Sequence, residues 1–464
     1  MKEIERKYLL NRSILEFLNT TSTSHKKITQ YYIKATLNKS VRFRKYGSQY
    51  YKCIKYGTGG IREEIEEEIP QKVYKKNLKK RIGRSIKKVR YLFTLDSYEY
   101  SVDVYKKPLE DLYVMELEFE SMTAYENFVL PSVLKVYVEK EVTEDEAYKN
   151  KNLALFSLPL EENEVKEKGS VHVLMHIFEK LLSDIYLYRE KLLSGGDDED
   201  LHQFRIACRR SVVLMGEFKL LYEGESLLGH KAGLKNLINI SNTKRDMDVL
   251  ISELSKIEGE MDLSLYQEAL ALLKERVEVT LQREHASIIT YLQSETCTHV
   301  LMAWKNYITD MSRTNISIYG RYPIHLLSKY VIFQRFLKIK KQIKELNPKH
   351  DASEILHKLR IEYKKMRYLL ESFGQLYEKK EMKKLLKEMK KLQDVLGLFH
   401  DSHQQKLIFE GLLKTEKNEK VRSFINEILF PNLKAYQKKE ILEIQKQLKE
   451  FLKKEEAYRK IFAS

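Results

Sequence analysis

The sequence predicts an α+β multidomain protein, with an antiparallel β barrel or sandwich first and an all-α, duplicated helical bundle after it. Three observations carry this. Up to about residue 155, short segments rich in Tyr, Val, Ile and Phe alternate in polarity and are separated by turn-forming residues. From about residue 169 the apolar spacing becomes three and four, and no proline occurs from 160 through 322. Within that second part, one pattern returns at a constant offset of 155 residues.

The strand half opens with "KEIERKYLL" (2–10), where Glu3, Glu5 and Lys7 fall at alternate positions. On a strand, alternate side chains share a face, so these charges stand on one side. Further strands are expected at "SVRFRKY" (40–46), "QYYKCIKY" (49–56), "IREEIEEEI" (61–69), "KKVRYLFTL" (87–95), "YEYSVDVY" (98–105) and "LYVMELEFE" (112–120). The turn-like "YGS", "GTGG" and "KKPLED" separate several of them. Alternating charge recurs in these strands: Arg42 and Arg44; Arg62, Glu64 and Glu66; Lys88 and Arg90; Glu116 and Glu118. Cys53 and Lys55 share a face, and Asp103 sits in an otherwise apolar strand. The intervening Met115, Leu117 and Phe119 show that the other side is apolar. Two arrangements fit. A charged side facing solvent makes an ordinary surface around an apolar core. A charged side facing inward makes a water-filled tunnel whose cations hold phosphates and whose carboxylates hold a hard divalent metal.

The polar "SLPLEENEVKEKG" (157–169) marks the expected linker, 156–168, between a domain at 1–155 and one at 169–464. In the helical half, "VHVLMHIFEKLLSDIYLYREKLL" has clear helical spacing, and "SGGDDED" (194–200) is a loop with acidic helix-start residues. "LHQFRIACRRSVVLMGEF" from Leu201 returns as "LHKLRIEYKKMRYLLESF" from Leu356. The offset persists from Leu237 to Leu392 and from Asp246 to Asp401, which predicts two repeats, at about 169–320 and 321–464. His202, Arg205 and Arg209 lie at i, i+3 and i+7 on one helical face, as do His357, Arg360 and Lys364 in the second copy. Arg210, Lys365 and Arg367 widen the stripes. One basic stripe is usually a solvated face; its return in both repeats favours a concave surface for a linear polyanion.

The 464 residues carry a net charge of +16, shared about equally between the two parts. That balance favours polyanionic partners. Three widely spaced cysteines, a polar start and no apolar run near the length of a spanning helix lead us to expect a cytoplasmic protein without membrane partners. Nucleic acid is not expected as a partner, because no recognisable module for it occurs. His172 and His176 have the spacing of a zinc pair but lack a third ligand, so they are assigned no site.

Two family resemblances rest on these residues. "EIERK" is similar to the ExExK signature of the CYTH domain, the triphosphate tunnel metalloenzyme superfamily. The likeness runs to about residue 155 through "ITQYYI" (28–33), "VRFRK", "IKYG", "REEIE", "KKVRY", "VDVY", "MELEFES" and "EVTEDEAYKN" (141–150). It implies an eight-stranded antiparallel tunnel that hydrolyses inorganic triphosphate, or a related triphosphate, with Mg²⁺ or Mn²⁺. By position, Glu3, Glu5, Glu116 and Glu118 would be the main metal carboxylates, while Lys7, Arg42, Arg44, Lys55, Arg62, Lys88 and Arg90 would hold the phosphates. Glu64, Glu66 and Asp103 would serve a second metal or water position.

The two helical copies resemble the halves of a CHAD domain, the conserved-histidine α-helical domain. That likeness implies binding of inorganic polyphosphate, with His202, Arg205, Arg209, Arg210, His357, Arg360, Lys364, Lys365 and Arg367 on the binding face. Asp246 and Asp401 would orient basic residues or cap helices. The expected protein is therefore a triphosphatase coupled to polyphosphate, associated with polyphosphate granules. Its alternatives are a non-catalytic polyphosphate binder, or a tunnel enzyme acting on thiamine triphosphate or nucleotides.

Overall fold

The computed structural model describes residues 4–21, 23–36, 38–57, 63–221, 226–311, 317–346 and 353–463. Two of the expected site residues, Glu3 and Arg62, lie outside the described residues. The chain forms two compact units. The first takes in the chain up to Gly169 together with Arg321–Tyr330 and the stretch from Arg459; the second comprises Ser170–Gly320 and Val331–Tyr458. Residues 162–168 of the expected linker form a helix that groups with the first unit. No helix among the described residues is long and apolar enough to cross a membrane.

The first unit is built on β1 (Glu5–Leu10), β2 (Ser24–Ala35), β3 (Lys39–Tyr46), β4 (Gln49–Tyr56), β5 (Glu63–Glu68), β6 (Ile82–Leu95), β7 (Tyr98–Tyr105), β8 (Tyr113–Glu118) and β9 (Val138–Glu141). They form one antiparallel sheet in the order β5-β4-β3-β2-β6-β7-β8-β1-β9. The eight strands of the expected tunnel are thus joined by a ninth. The sheet is open, with β5 and β9 at its edges, rather than closed. Strand β9 is short and reads VEKE, so no apolar alternation announces it.

The period of two decides which face is dry. On β1, β6, β7 and β8, the residues Tyr8, Leu10, Phe93, Tyr100, Val102, Met115 and Leu117 form one core with Ile14, Leu18, Phe128 and Leu134 outside the sheet. On β2 and β3, Tyr31, Val41 and Phe43 do the same beneath Tyr74 of the Gln71–Leu78 helix. Apolar side chains therefore lie on the convex side, covered by helices, and the charged alternates line a concave interior. At about 25 cal/mol per Å² of apolar surface removed from water, burying this side stabilises the fold, and it forces the charges inward. Gly83 marks a close approach: its φ is +65°, and a Cβ there would come 2.3 Å from the Ala154 carbonyl oxygen of the Asn150–Phe156 helix.

In the second unit, Asp197 caps the Asp198–Glu217 helix, accepting from the Asp200 backbone N–H in a capping box, as the acidic run predicts. Under the 155-residue offset this helix corresponds to Ser353–Phe373. The next element differs between the copies. The first has two helices, Ser226–Asn239 and Asn242–Glu260, whereas the second has one unbroken helix, Lys379–Thr415. The break has local causes. Buried Ser241 donates back to the Ile238 carbonyl, and Arg205 donates to the same carbonyl, to Ser241 and to Asn242. At the equivalent place the second copy reads "DVLG", without the Ser and Asn side chains that take these contacts.

Candidate active site and basic face

The concave side of the sheet encloses a cavity of about 1040 Å³. Among the described residues, nine Lys and Arg and six Glu line it, so its interior is net positive and suited to a small polyanion. Strands β1 and β8 supply three of the carboxylates. Their register sets Glu5 opposite Glu118 and Lys7 opposite Glu116. Lys7 Nζ lies 3.0 Å from Glu5 and 3.2 Å from Glu116. Burial opposes the charge on Lys7, but Glu116 and Glu5 outweigh it and raise its pKa. Burial likewise opposes ionisation of Glu116, yet Lys7, Arg90 and Lys88 hold it well below the usual carboxylate range.

Strands β6 and β7 supply the floor. Asp103 is fully buried and takes Lys88 and Arg90 together; Arg90 donates from Nε to Oδ1 at 2.8 Å and from Nη2 to Oδ2 at 2.6 Å. Arg90 also reaches Glu116. Lys88 is 3% exposed, and burial pushes it down to about 8 against the pull of Asp103. Both Asp103 oxygens are thus engaged by cations beneath the lining.

The opposite wall is made by β3, β4 and β5. Lys55 lies 2.7 Å from Glu64, Arg42 lies 3.3 Å from Glu64, and Arg44 lies 2.7 Å from Glu66. Burial disfavours the Glu64 carboxylate, but Lys55 and Cys53 outweigh this and bring it to about 2. Cys53, buried, donates to Glu64 and receives Arg42 at 3.2 Å; burial holds its thiol up at about 11. Sequence reasoning did not single out Gln30 and Tyr32, which also line the cavity. Their signal was present, since they alternate on β2 in "TQYYI".

By ligand type the carboxylates of β1 and β8 suit a divalent cation, while among the described residues the three donors that lie within 4.8 Å of one another are those of Cys53, Glu64 and Glu66. Glu5, Glu116 and Glu118 offer carboxylate oxygens on adjacent strands, the ligand type that Mg²⁺ and Mn²⁺ take. Two of them, Glu5 and Glu118, are like charges directly opposite one another, an arrangement that a bound cation relieves.

The helical unit divides the expected basic face. His202 and His357 are exposed, and His357 Nδ1 lies 3.3 Å from His400 Nδ1. Arg205 is 4% exposed; its guanidinium donates to the Ile238 carbonyl at 2.9 Å, to Asn242 Oδ1 at 2.9 Å and to Ser241. It staples the break between two helices from beneath the face. Arg209, Arg245, Arg360 and Lys364 form one electrostatic group with Asp246 and Asp401, drawn from both repeats. Burial, then Arg360 and Arg209, push Lys364 down to about 7; burial and Arg360 push His400 down to about 3. Arg210 reaches Glu371 at 2.7 Å, and Arg367 reaches the same carboxylate at 3.4 Å. Lys365 instead contacts Glu362. Arg245 and His400 were not among the expected binding residues, although the same offset relates them.

An open β cup lined by carboxylates and cations, followed by a duplicated helical unit with a basic face, defines the class of protein. A family model for the CHAD domain matches residues 176–409. An inorganic triphosphatase of Nitrosomonas europaea is 32% identical over 160 residues, which are 34% of this chain and all of that protein. A crystal structure of an inorganic triphosphatase aligns at 29% identity over 33% of this chain and 95% of its own, with a TM-score of 0.27. The CHAD domain from the plant Ricinus communis aligns at 19% identity, over 63% of this chain and 95% of its own, with a TM-score of 0.51, a likeness of fold. The chain belongs to the CHAD domain family and to the family of the Nitrosomonas triphosphatase, in accord with both resemblances in the sequence.

Proposed function

We propose that the protein hydrolyses inorganic triphosphate in the cavity of its β unit, with Mg²⁺ or Mn²⁺ held by Glu5, Glu116 and Glu118, and that its helical unit binds inorganic polyphosphate. The observation that carries the reading is the arrangement on β1 and β8, where Glu5 and Glu116 adjoin Lys7, Glu116 also reaches Arg90, and Glu118 stands opposite Glu5 in a net positive cavity. The similarity to a protein named inorganic triphosphatase supports it.

In this reading Lys7, Arg42, Arg44, Lys55 and Arg90 exchange their glutamate contacts for phosphate oxygens when substrate enters, and Lys88 adds its charge while still paired with Asp103. Asp103, which touches Lys88 and Arg90 from below, keeps both aimed into the cavity. Glu64 and Glu66, once relieved of Arg42 and Arg44, accept hydrogen bonds from water at the far wall. Bound to its three carboxylates, the metal would neutralise charge on the phosphate oxygens and orient the attacking water. On the helical unit, Arg209, Arg245, Arg360 and Lys364 supply the cations for a phosphate chain, with His202 and His357 at its exposed edge. That contact would place the enzyme at polyphosphate granules in the cytoplasm.

Phosphate release from inorganic triphosphate, ATP, thiamine triphosphate and long-chain polyphosphate, compared at one metal concentration, tests the substrate. The highest kcat/KM is expected for inorganic triphosphate. A protein that binds polyphosphate and turns over none of the four would be a binding protein instead.

A further inference from the structure

Lys364 and Lys365 are neighbours in sequence, but the structure sends them to different places. Lys364 joins Arg360, Arg209 and Asp401. Lys365, about 100° further round the Ser353–Phe373 helix, reaches Glu362, Nζ to Oε1 at 3.4 Å. Lys365 therefore belongs to a second cationic cluster.

Glu362 is 5% exposed and is shared by three cations: Lys365, Lys338 at 2.9 Å, and Arg335. Arg335 also contacts Glu217, and its Nε is buried without a hydrogen bond among the described residues. Lys231 lies over Gly216, where an added Cβ would come 2.7 Å from its Nζ. Lys219 and Lys235 adjoin Lys231. Six cations from four stretches of chain thus surround two carboxylates. Glu217 and Glu362 suffice to neutralise Arg335 and lock three helices together, but they leave the lysines in excess. Burial, followed by neighbouring cations, lowers the pKa of Lys231, Lys338 and Lys365. A surface serving solubility balances the two signs of charge; this one sets six cations against two carboxylates, with Lys231, Arg335 and Lys365 half-buried.

We propose that Lys231, Lys338 and Lys365, with Lys235 at the rim, form a second phosphate-binding site on the helical unit, which takes a run of phosphates within an inorganic polyphosphate chain. This rests on the reading that the helical unit binds polyphosphate. Ammonium groups suit a flexible chain, because each acts as a point charge that tolerates many phosphate orientations.

The test uses the full-length protein and end-labelled inorganic polyphosphate, with binding followed by fluorescence anisotropy over a range of salt. Lys231→Gln/Lys338→Gln is compared with Arg360→Gln/Lys364→Gln on the other cluster. The first pair should raise Kd about tenfold and flatten the salt slope by about one to two. Lys235→Glu, an exposed substitution that leaves the core intact, should weaken binding in the same direction. If only the Arg360/Lys364 pair weakens binding, the second site is refuted while the reading of the unit survives. If only the Lys231/Lys338 pair weakens it, the site stands and the stripe falls. If the wild-type protein does not bind, or no variant changes affinity, both fall. Circular dichroism and thermal melts confirm that each variant is folded.

Discussion

Glu5 and Glu118 stand directly opposite each other across the β1–β8 ladder, one pleat from the Lys7–Glu116 pair. Like charges so placed cost about 0.2–1 kcal/mol, and a divalent cation turns that cost into an attraction. We therefore expect Mn²⁺ or Mg²⁺ to raise the melting temperature of the wild-type protein. In Glu118→Gln the metal-free melting temperature should stay within a few degrees of wild type, because Glu118 is exposed. Its rise on adding metal should be largely lost. A metal-induced shift of equal size in both proteins would place the cation elsewhere.

Asp103 should matter chiefly through the cations above it. It is fully buried and holds both Lys88 and Arg90. Asp103→Ala leaves buried Lys88 without its ion-pair partner and half-buried Arg90 with Glu116 alone, so a loss of about 3–5 kcal/mol is expected in denaturant melts. Asp103→Asn keeps the shape and one acceptor and should lose less. A loss below about 1 kcal/mol in Asp103→Ala would contradict this positioning role.

Lys364 gives a pH dependence whose sign is fixed. Burial and two arginines lower its pKa to about 7, so above that pH it is largely neutral in the free protein. A bound phosphate chain favours the charged form and raises the pKa again. Polyphosphate affinity should therefore increase as pH falls from about 8.5 to 6, and binding at pH 8 should take up a proton. Calorimetry in buffers of different ionisation enthalpy measures that uptake directly. Lys364→Gln should abolish most of it, and an unchanged uptake in that variant would assign the proton to another group.

Much of this was legible in the sequence because strand alternation and helix repetition are short-period signals. Glu5, Lys7, Arg42, Arg44, Lys88, Arg90 and Glu116 share one face by parity alone, and the structure brings them to one cavity. The open sheet was not legible, because closure depends on whether β5 and β9 meet, a long-range fact that neither strand's residues encode. The helical face was only partly legible. Spacing of i, i+3 and i+7 placed Arg205 beside Arg209, but the Ile238 carbonyl, Ser241 and Asn242 draw its guanidinium beneath the surface. Spacing also grouped Lys365 with Lys364, whereas Glu362 and Arg335 give it a different neighbourhood.

The central claim is that the carboxylate cluster on β1 and β8 makes the cavity a metal-dependent triphosphatase site. The most direct measurement is phosphate release from inorganic triphosphate, with Mg²⁺ or Mn²⁺ varied, for the wild-type protein and for Glu118→Gln. The account predicts turnover that requires the metal and falls at least 100-fold in the variant, a loss of about 2.7 kcal/mol or more in transition-state stabilisation. Turnover that persists in chelator, or that survives in folded Glu118→Gln, would contradict it.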